Sequence, residues 1–186
     1  MVKLSEHIEE ATIRFAGDSG DGMQLVGTQF SETSGFAGNE VNTFPDYPSE
    51  IRAPEGTLYG VSAFQIHFGT RHIHTSGDLI DVLVVMNASS LKVNLPNLRK
   101  GGLIIADTEG FDHRNLSLAR FDSNPLHGEY LKDYEVHAID ISKELRSSLG
   151  ELKVSTKLLT RTKNLFALGI TYWLFNRPLE PTIAWI

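Results

Sequence analysis

Thr12-Ile-Arg-Phe-Ala-Gly-Asp-Ser-Gly-Asp-Gly22 is the stretch from which the fold can be read. Thr12 to Ala16 alternates polar and apolar side chains as a short strand does, and Gly17 to Gly22 supplies a glycine-rich turn. Apolar residues then recur at Met23, Val26, Phe30 and Phe36, the spacing of a helix that Gly35 and Gly38 bring to a close. Asn39-Glu-Val-Asn-Thr-Phe44 follows as a second strand. Strand, glycine turn, helix and strand in that order form the core of a βαβ unit and place the chain among α/β proteins.

Three prolines, Pro45, Pro48 and Pro54, exclude a helix and a central strand between Pro45 and Gly56. Leu58 to Phe68 is rich in β formers, with Phe64, Ile66 and Phe68 on one face. Arg71 to Thr75 is expected to return as its hairpin partner across Gly69-Thr70. Asp81 to Met86 and Leu103 to Ala106 are apolar runs of the kind found in strands covered on both faces. Between them Ser89 to Leu98 reads as a short helix. Phe111 to Lys132 has weak periodicity and reads as irregular, with at most a short strand or helix. Tyr134 to Ile141 alternates as a strand, and a helix begins near Ser142. A longer helix runs from about Thr160 to Asn176, carries Leu165, Leu168, Tyr172 and Phe175 on one side, and stops at Arg177-Pro178. The expected fold is a three-layer α/β domain with a mostly parallel, Rossmann-like sheet and an antiparallel hairpin from Leu58 to Thr75. Leu179 to Ile186 is apolar, and Pro181 would open another helix. Residues 1–186 are therefore expected to be a single domain cut from a longer protein.

The chain of 186 residues is 41% hydrophobic, which suits one domain with a continuous core. Its 23 acidic side chains against 17 basic ones, a net charge of −6, argue against a nucleic-acid binder. With 0 cysteines it holds no iron–sulfur cluster by thiolates, no disulfide and no cysteine nucleophile. Any redox chemistry must sit on a bound cofactor or a partner. The polar N-terminus lacks a signal-peptide core and no stretch approaches the ~20 apolar residues of a membrane span, so the expected compartment is the cytosol, with no membrane contact.

Among candidate sites, the turn from Gly17 to Gly22 comes first. A strand-to-helix turn leaves the first helical N–H groups unpaired, and glycines let a phosphate approach them. The turn meets neither the G-x-G-x-x-G fingerprint nor the P-loop pattern with its lysine. Asp18 and Asp21 repel a phosphate unless they point away, and the glycines serve equally well merely to close the turn. Arg52 is a second candidate, suited to clamp a carboxylate or phosphate, or else to pair in solvent with Glu50 or Glu55. His72 and His74 share one side of the expected strand but lack a third ligand at a natural spacing, which favours exposed histidines over a metal site. Asp107 stands at a strand's C-terminal end, where α/β sheets bind ligands, and would equally cap the following turn.

Four blocks, Phe15 to Gly22, Tyr47-Pro-Ser-Glu-Ile-Arg52, Lys100-Gly-Gly-Leu-Ile-Ile-Ala-Asp107 and Thr162-Lys-Asn-Leu-Phe-Ala-Leu-Gly169, resemble in order and spacing the gamma domain of the 2-oxoacid:ferredoxin oxidoreductases. Asn42 to Arg52 and Tyr172 to Pro181 resemble the 2-oxoglutarate branch, in which this domain is the N-terminal part of the alpha subunit. The resemblance implies decarboxylation of a 2-oxoacid on thiamine diphosphate, electron transfer through 4Fe–4S clusters to ferredoxin, and acyl transfer to coenzyme A. It places the thiamine cofactor and the clusters in other domains and the beta subunit. To this chain it leaves assembly and contact with coenzyme A, with Gly17, Gly20, Asp21, Gly22 and Arg52 as the binding positions and no catalytic or metal-binding residue. Asn164 matches an asparagine whose expected role is packing or capping. Two other readings stand beside this one: a nucleotide-binding Rossmann-like module, which lacks an acid at Thr43-Phe44-Pro45, and a purely structural assembly domain.

Overall fold

The computed structural model describes residues 8–48, 60–152 and 155–186. Six strands, β1 (Glu10–Asp18), β2 (Glu40–Asp46), β3 (Val61–Gly69), β4 (Ile80–Val85), β5 (Leu98–Asp107) and β6 (Glu135–Ile139), form one sheet in the order β2-β3-β1-β4-β5-β6. The pairs β1/β4, β4/β5 and β5/β6 are parallel, whereas β3 runs antiparallel to both β1 and β2. The helices are α1 (Met23–Phe36), α2 (Ala88–Asn94), α3 (His113–Leu118), α4 (Ile141–Leu149), α5 (Thr156–Leu174) and α6 (Glu180–Trp185). Among the described residues no helix is long and apolar enough to cross a membrane.

Strand alternation sorts the two faces. Ile13 and Phe15 of β1, Ile66 and Phe68 of β3, and Val82 and Val84 of β4 meet Val26 and Phe30 of α1, Ile141 of α4, and Leu168 and Tyr172 of α5. On the opposite face Leu83 and Val85 of β4 and Ile104 of β5 pack with Leu91 of α2 and with Phe111, Ala119 and Leu131. The three-layer α/β expectation holds, and β4 is buried on both faces as its apolar run predicts.

The antiparallel strand lies within the expected stretch as β3, but its partner is not the one expected. Arg71 to Thr75 form no strand, because β1 and β2 already flank β3 and leave it no free edge. The hairpin is instead β2–β3. The segment after β3 closes over the sheet through side-chain bonds. Gln65 Nε2 donates to the carbonyls of Ser76 and Gly77 at 2.7 and 2.6 Å, and the Ile73 N–H donates to Glu40 at 2.9 Å. Pro45 sits in the edge strand β2, where its missing N–H costs no interior ladder bond.

Other differences are of extent. Leu98 begins β5 and does not end a helix, since Pro96 turns the chain through a 3-10 step after α2. Thr156 opens α5 earlier than expected because Ser155 caps it, accepting the Leu158 N–H at 3.3 Å. Phe36, grouped by spacing with the buried face of α1, is 76% exposed at the helix end. Pro181 does open a helix: α6 docks on α1 and α5 through a buried ring in which the Tyr172 hydroxyl meets Thr33 Oγ1, Thr182 Oγ1 and the Gln29 carbonyl at 2.8, 2.7 and 3.0 Å.

Two glycines of α1 give a contrasting pair. A Cβ on Gly27 would stand 2.2 Å from the Phe64 ring, so α1 lies on β3 closer than alanine permits. Gly35 has nothing within 4 Å of such an atom. Gly27→Ala is expected to destabilise by about 1–3 kcal/mol despite alanine's better helix propensity. Gly35→Ala should stabilise by up to about 1 kcal/mol. Urea unfolding of both variants checks the opposite signs.

Candidate functional site

The chain leaving β1 runs through α1 toward β2, and the chain leaving β4 runs through α2 to β5 on the other face. Where these connections diverge, at the carboxyl ends of β1 and β4, an α/β sheet opens its ligand crevice. A cavity of about 470 Å³ lies there, lined by Asp18, Gly20, Asp21, Met86, Asn87, Asp107, Glu109, Gly110, Asn115, Arg161, Lys163 and Asn164. Its volume is within the range of small-molecule sites.

The glycine turn forms one wall, and local geometry explains its composition. Gly20 and Gly22 have φ of 114° and 78°, the left-handed region that other residues rarely adopt. A Cβ on Gly22 would also lie 2.1 Å from Asn164 Nδ2, so the side chain of α5 rests directly on the turn. Gly17 keeps clear of the Asp21 carboxylate, which its own Cβ would approach to 2.7 Å. Asp21 folds back, its Oδ2 accepting the Asp18 N–H at 2.7 Å, while the Asp21 N–H donates to the Asp18 carbonyl at 3.0 Å. Asp18 is held from just beyond the end of β4 by Asn87 Nδ2 at 2.8 Å. Asn87 also caps α2, accepting the Ser90 N–H at 2.8 Å.

The opposite wall is an ionic cluster. Asp107, 2% exposed at the end of β5, accepts a bond from Lys163 Nζ of α5 at 2.8 Å. Lys163 also pairs with Glu109, which the Ser142 hydroxyl bonds in turn. Burial works against the Lys163 charge, but the bonds to Asp107 and Glu109 outweigh it and raise its pKa. The same Lys163 bond, followed by that of Ser142, lowers the Glu109 pKa. Burial raises both Asp18 and Asp21, against the Asn87 bond at the first and the Asp18 N–H at the second. Arg161 is exposed at the rim and, among the described residues, makes no ion pair.

The crevice thus brings together Gly20, Asp21, Asp107 and Asn164 of the residues singled out in the sequence, with Gly17 and Gly22 shaping the turn behind them. Asn164 lies inside α5 and packs on Gly22. Arg52 lies outside the described residues; of the described strands before and after it, β2 ends at Asp46 and β3 begins at Val61 opposite Asp18, both at this end of the sheet. His72 bonds Glu40 at 2.7 Å and stacks on His74, away from the crevice lining; among the described residues no group of three or more potential metal ligands gathers. The reading by motif missed Lys163, Arg161, Asn87, Asn115 and Glu109. Lys163 stands inside the quoted block Thr162 to Gly169, yet a lysine there has no local pattern that points to an acid more than fifty residues away.

Two outcomes test these electrostatics. A carboxyl whose pKa is raised by folding favours the protonated native state, so its contribution to stability is lost as pH rises through the raised value. Asp18→Asn keeps the acceptor for Asn87 and removes the charge. Its stability relative to the native protein should therefore grow from about pH 3 to about pH 7, measured by urea unfolding across that range; a gap that closes would contradict the burial argument. Lys163→Met leaves Asp107 buried without its counter-charge and should cost about 3–5 kcal/mol in the same assay at neutral pH.

Comparison with known proteins agrees with this architecture. Residues 12–186 match the family described as pyruvate ferredoxin/flavodoxin oxidoreductase. The 2-oxoglutarate oxidoreductase subunit KorA of Mycobacterium tuberculosis is 44% identical over 181 residues, covering 97% of this chain and 28% of that protein. This chain therefore spans little more than a quarter of the relative's length. Among solved structures, the 2-oxoglutarate:ferredoxin oxidoreductase of Magnetococcus marinus superposes with a TM-score of 0.64 at 23% identity, over 89% of this chain and 24% of that one. The gamma subunit of a keto/oxoacid ferredoxin oxidoreductase from Geobacter sulfurreducens gives 0.58 at 18% identity, over 87% and 75%. These two share the fold. From the match across nearly all of its length, the chain belongs to the pyruvate ferredoxin/flavodoxin oxidoreductase family.

Proposed function

We propose that the chain is the gamma-type domain of a 2-oxoglutarate:ferredoxin oxidoreductase, supporting CoA-dependent oxidative decarboxylation through assembly and through contact with coenzyme A. The observation that carries this reading is the 44% identity to the KorA relative across 97% of the chain. The coenzyme A contact draws support from the Magnetococcus enzyme, whose structure has 2-oxoglutarate, coenzyme A and succinyl-CoA bound, and from the crevice at the β1/β4 divergence.

In this reading residues 1–186 are one domain of a longer, cytosolic alpha subunit. Its partners are the thiamine-binding domains and the beta subunit, through which it serves ferredoxin. A chain with 0 cysteines offers no thiolate to a 4Fe–4S cluster, so the clusters fit other parts of the assembly, as does thiamine diphosphate. Coenzyme A, when bound, supplies the thiol that takes up the acyl group. The work of this chain is to hold and orient it. Gly17, Gly20, Asp21 and Gly22 let a ligand approach the turn closely, and Arg52, which lies between β2 and β3 in the sequence, adds a cation. The crevice is suited to such a ligand in its unspent polar groups, the Asn115 amide and Arg161, neither of which has a side-chain bond among the described residues. A reading as assembly domain alone is favoured by one observation: the Asp21 carboxylate already takes the Asp18 N–H, so the turn is satisfied without a ligand.

Calorimetric titration separates the two. Coenzyme A should give a saturable heat with the native chain, and Arg52→Ala should weaken it about tenfold, the worth of one charge-assisted contact. No heat from either would leave assembly as the function. The chain by itself should show no 2-oxoacid-dependent dye reduction, and turnover without partners would overturn the proposal.

A further inference from the structure

We infer that the crevice takes the uncharged, thiol-bearing pantetheine arm of coenzyme A, and that the phosphates stay at the rim against Arg161. This rests on the coenzyme A reading above and assigns which part of that molecule the site selects. Four carboxylates, Asp18, Asp21, Asp107 and Glu109, line the cavity against two cations, Lys163 and Arg161. Lys163 is spent, since its ammonium already serves Asp107 and Glu109 and its side chain is only 15% exposed. The interior therefore carries an excess of negative charge, and the acids nearest the glycine turn are those that a diphosphate would face.

Backbone geometry supports the same division. The Asp18 N–H, which a phosphate oxygen would need, is occupied by Asp21 Oδ2 at 2.7 Å. Asn164 packs on Gly22 at the start of α1 and narrows the approach to the helix N–H groups. What the walls do offer suits amides and hydroxyls. Asp18 Oδ2 and Asp21 Oδ1 accept no bond among the described residues, and the Asn115 side chain neither donates nor accepts one. An amide-containing chain supplies N–H donors to these half-buried carboxylates without adding charge. Arg161, exposed at the mouth and free of ion pairs among the described residues, is the group placed to meet phosphates.

The test uses three probes on the protein: coenzyme A, pantetheine, and 3′-phosphoadenosine 5′-diphosphate, the charged remainder. Pantetheine should displace coenzyme A in competition calorimetry. Arg161→Ala should weaken coenzyme A and the nucleotide about three- to tenfold while leaving pantetheine within about twofold. Asp18→Asn, which keeps the turn's geometry and removes one of the charges a diphosphate would face, should bind the nucleotide fragment more tightly than the native protein does. Circular dichroism of each variant establishes that it is folded. The inference is overturned, with the coenzyme A reading intact, if coenzyme A binds but Arg161→Ala leaves it unchanged. A nucleotide fragment that binds Asp18→Asn no more tightly than the native protein overturns it as well, since the acids are then not what keeps the phosphates out of the turn. If coenzyme A binds neither the native protein nor any variant, the functional reading itself fails and this inference falls with it.

Discussion

The contact between Lys163 and Asp107 is where the layers of this domain are joined. Asp107 ends β5 in a position with almost no solvent, where an isolated carboxylate would be strongly disfavoured. Lys163 reaches it from α5, the Ile141 N–H approaches it from the start of α4 at 3.4 Å, and Glu109 and Ser142 complete the cluster. Sheet, α4 and α5 are therefore registered by one buried charge. Because α5 is placed this way, Asn164 comes to rest on Gly22, and the glycine turn acquires its second wall. Remove the lysine and the turn loses its neighbour as well as the acid its partner.

A second constraint is the insertion of β3 between β1 and β2. In a dinucleotide-binding fold β2 lies next to β1, so that an acid at its end reaches a ribose held by the first turn. Here the intervening strand moves β2 a further ~4.8 Å away. Asp46 does stand at the end of β2, but its carboxylate is taken by Arg14, which is buried in the sheet face and also bonds Gln65 Oε1 at 3.1 Å. Gln24, in the first turn of α1, donates to the Ala63 carbonyl at 2.9 Å and ties the glycine turn to β3. The polar side chains that would build a nucleotide site are thus used to seat the extra strand, which argues against the nucleotide-module reading on geometric grounds.

How much of this was legible beforehand follows from how local each signal is. The glycine turn, α1, β4 and the capped helices are written in short-range spacing, because periodicity and caps act within a few residues. The pairing of the antiparallel strand was not, since Leu58 to Thr75 contains a good hairpin pattern and only the competition from β1 and β2 for both edges of β3 removes it. The carboxylate directions were likewise hidden. Asp18 and Asp21 look repulsive to a ligand in the sequence, yet whether they face it depends on Asn87, which caps α2 and lies 69 positions further on. Arg161 and Lys163 differ by two positions and look alike as sequence, but one is buried in an ion-pair cluster and the other is open.

Asp21 explains why a turn built to approach an anion holds its shape without one. Its carboxylate occupies the Asp18 N–H as a ligand oxygen would, so the backbone donor is satisfied within the chain. The cost is a partly desolvated acid beside two others, which raises its pKa and leaves the pocket negatively charged. A turn that supplies its own anion has less reason to select an external one. The free cation has instead been kept at the mouth, on α5, where solvent screens it from the acids within. The separation of charge between floor and rim is therefore a consequence of folding the turn stably, and it biases what the crevice accepts.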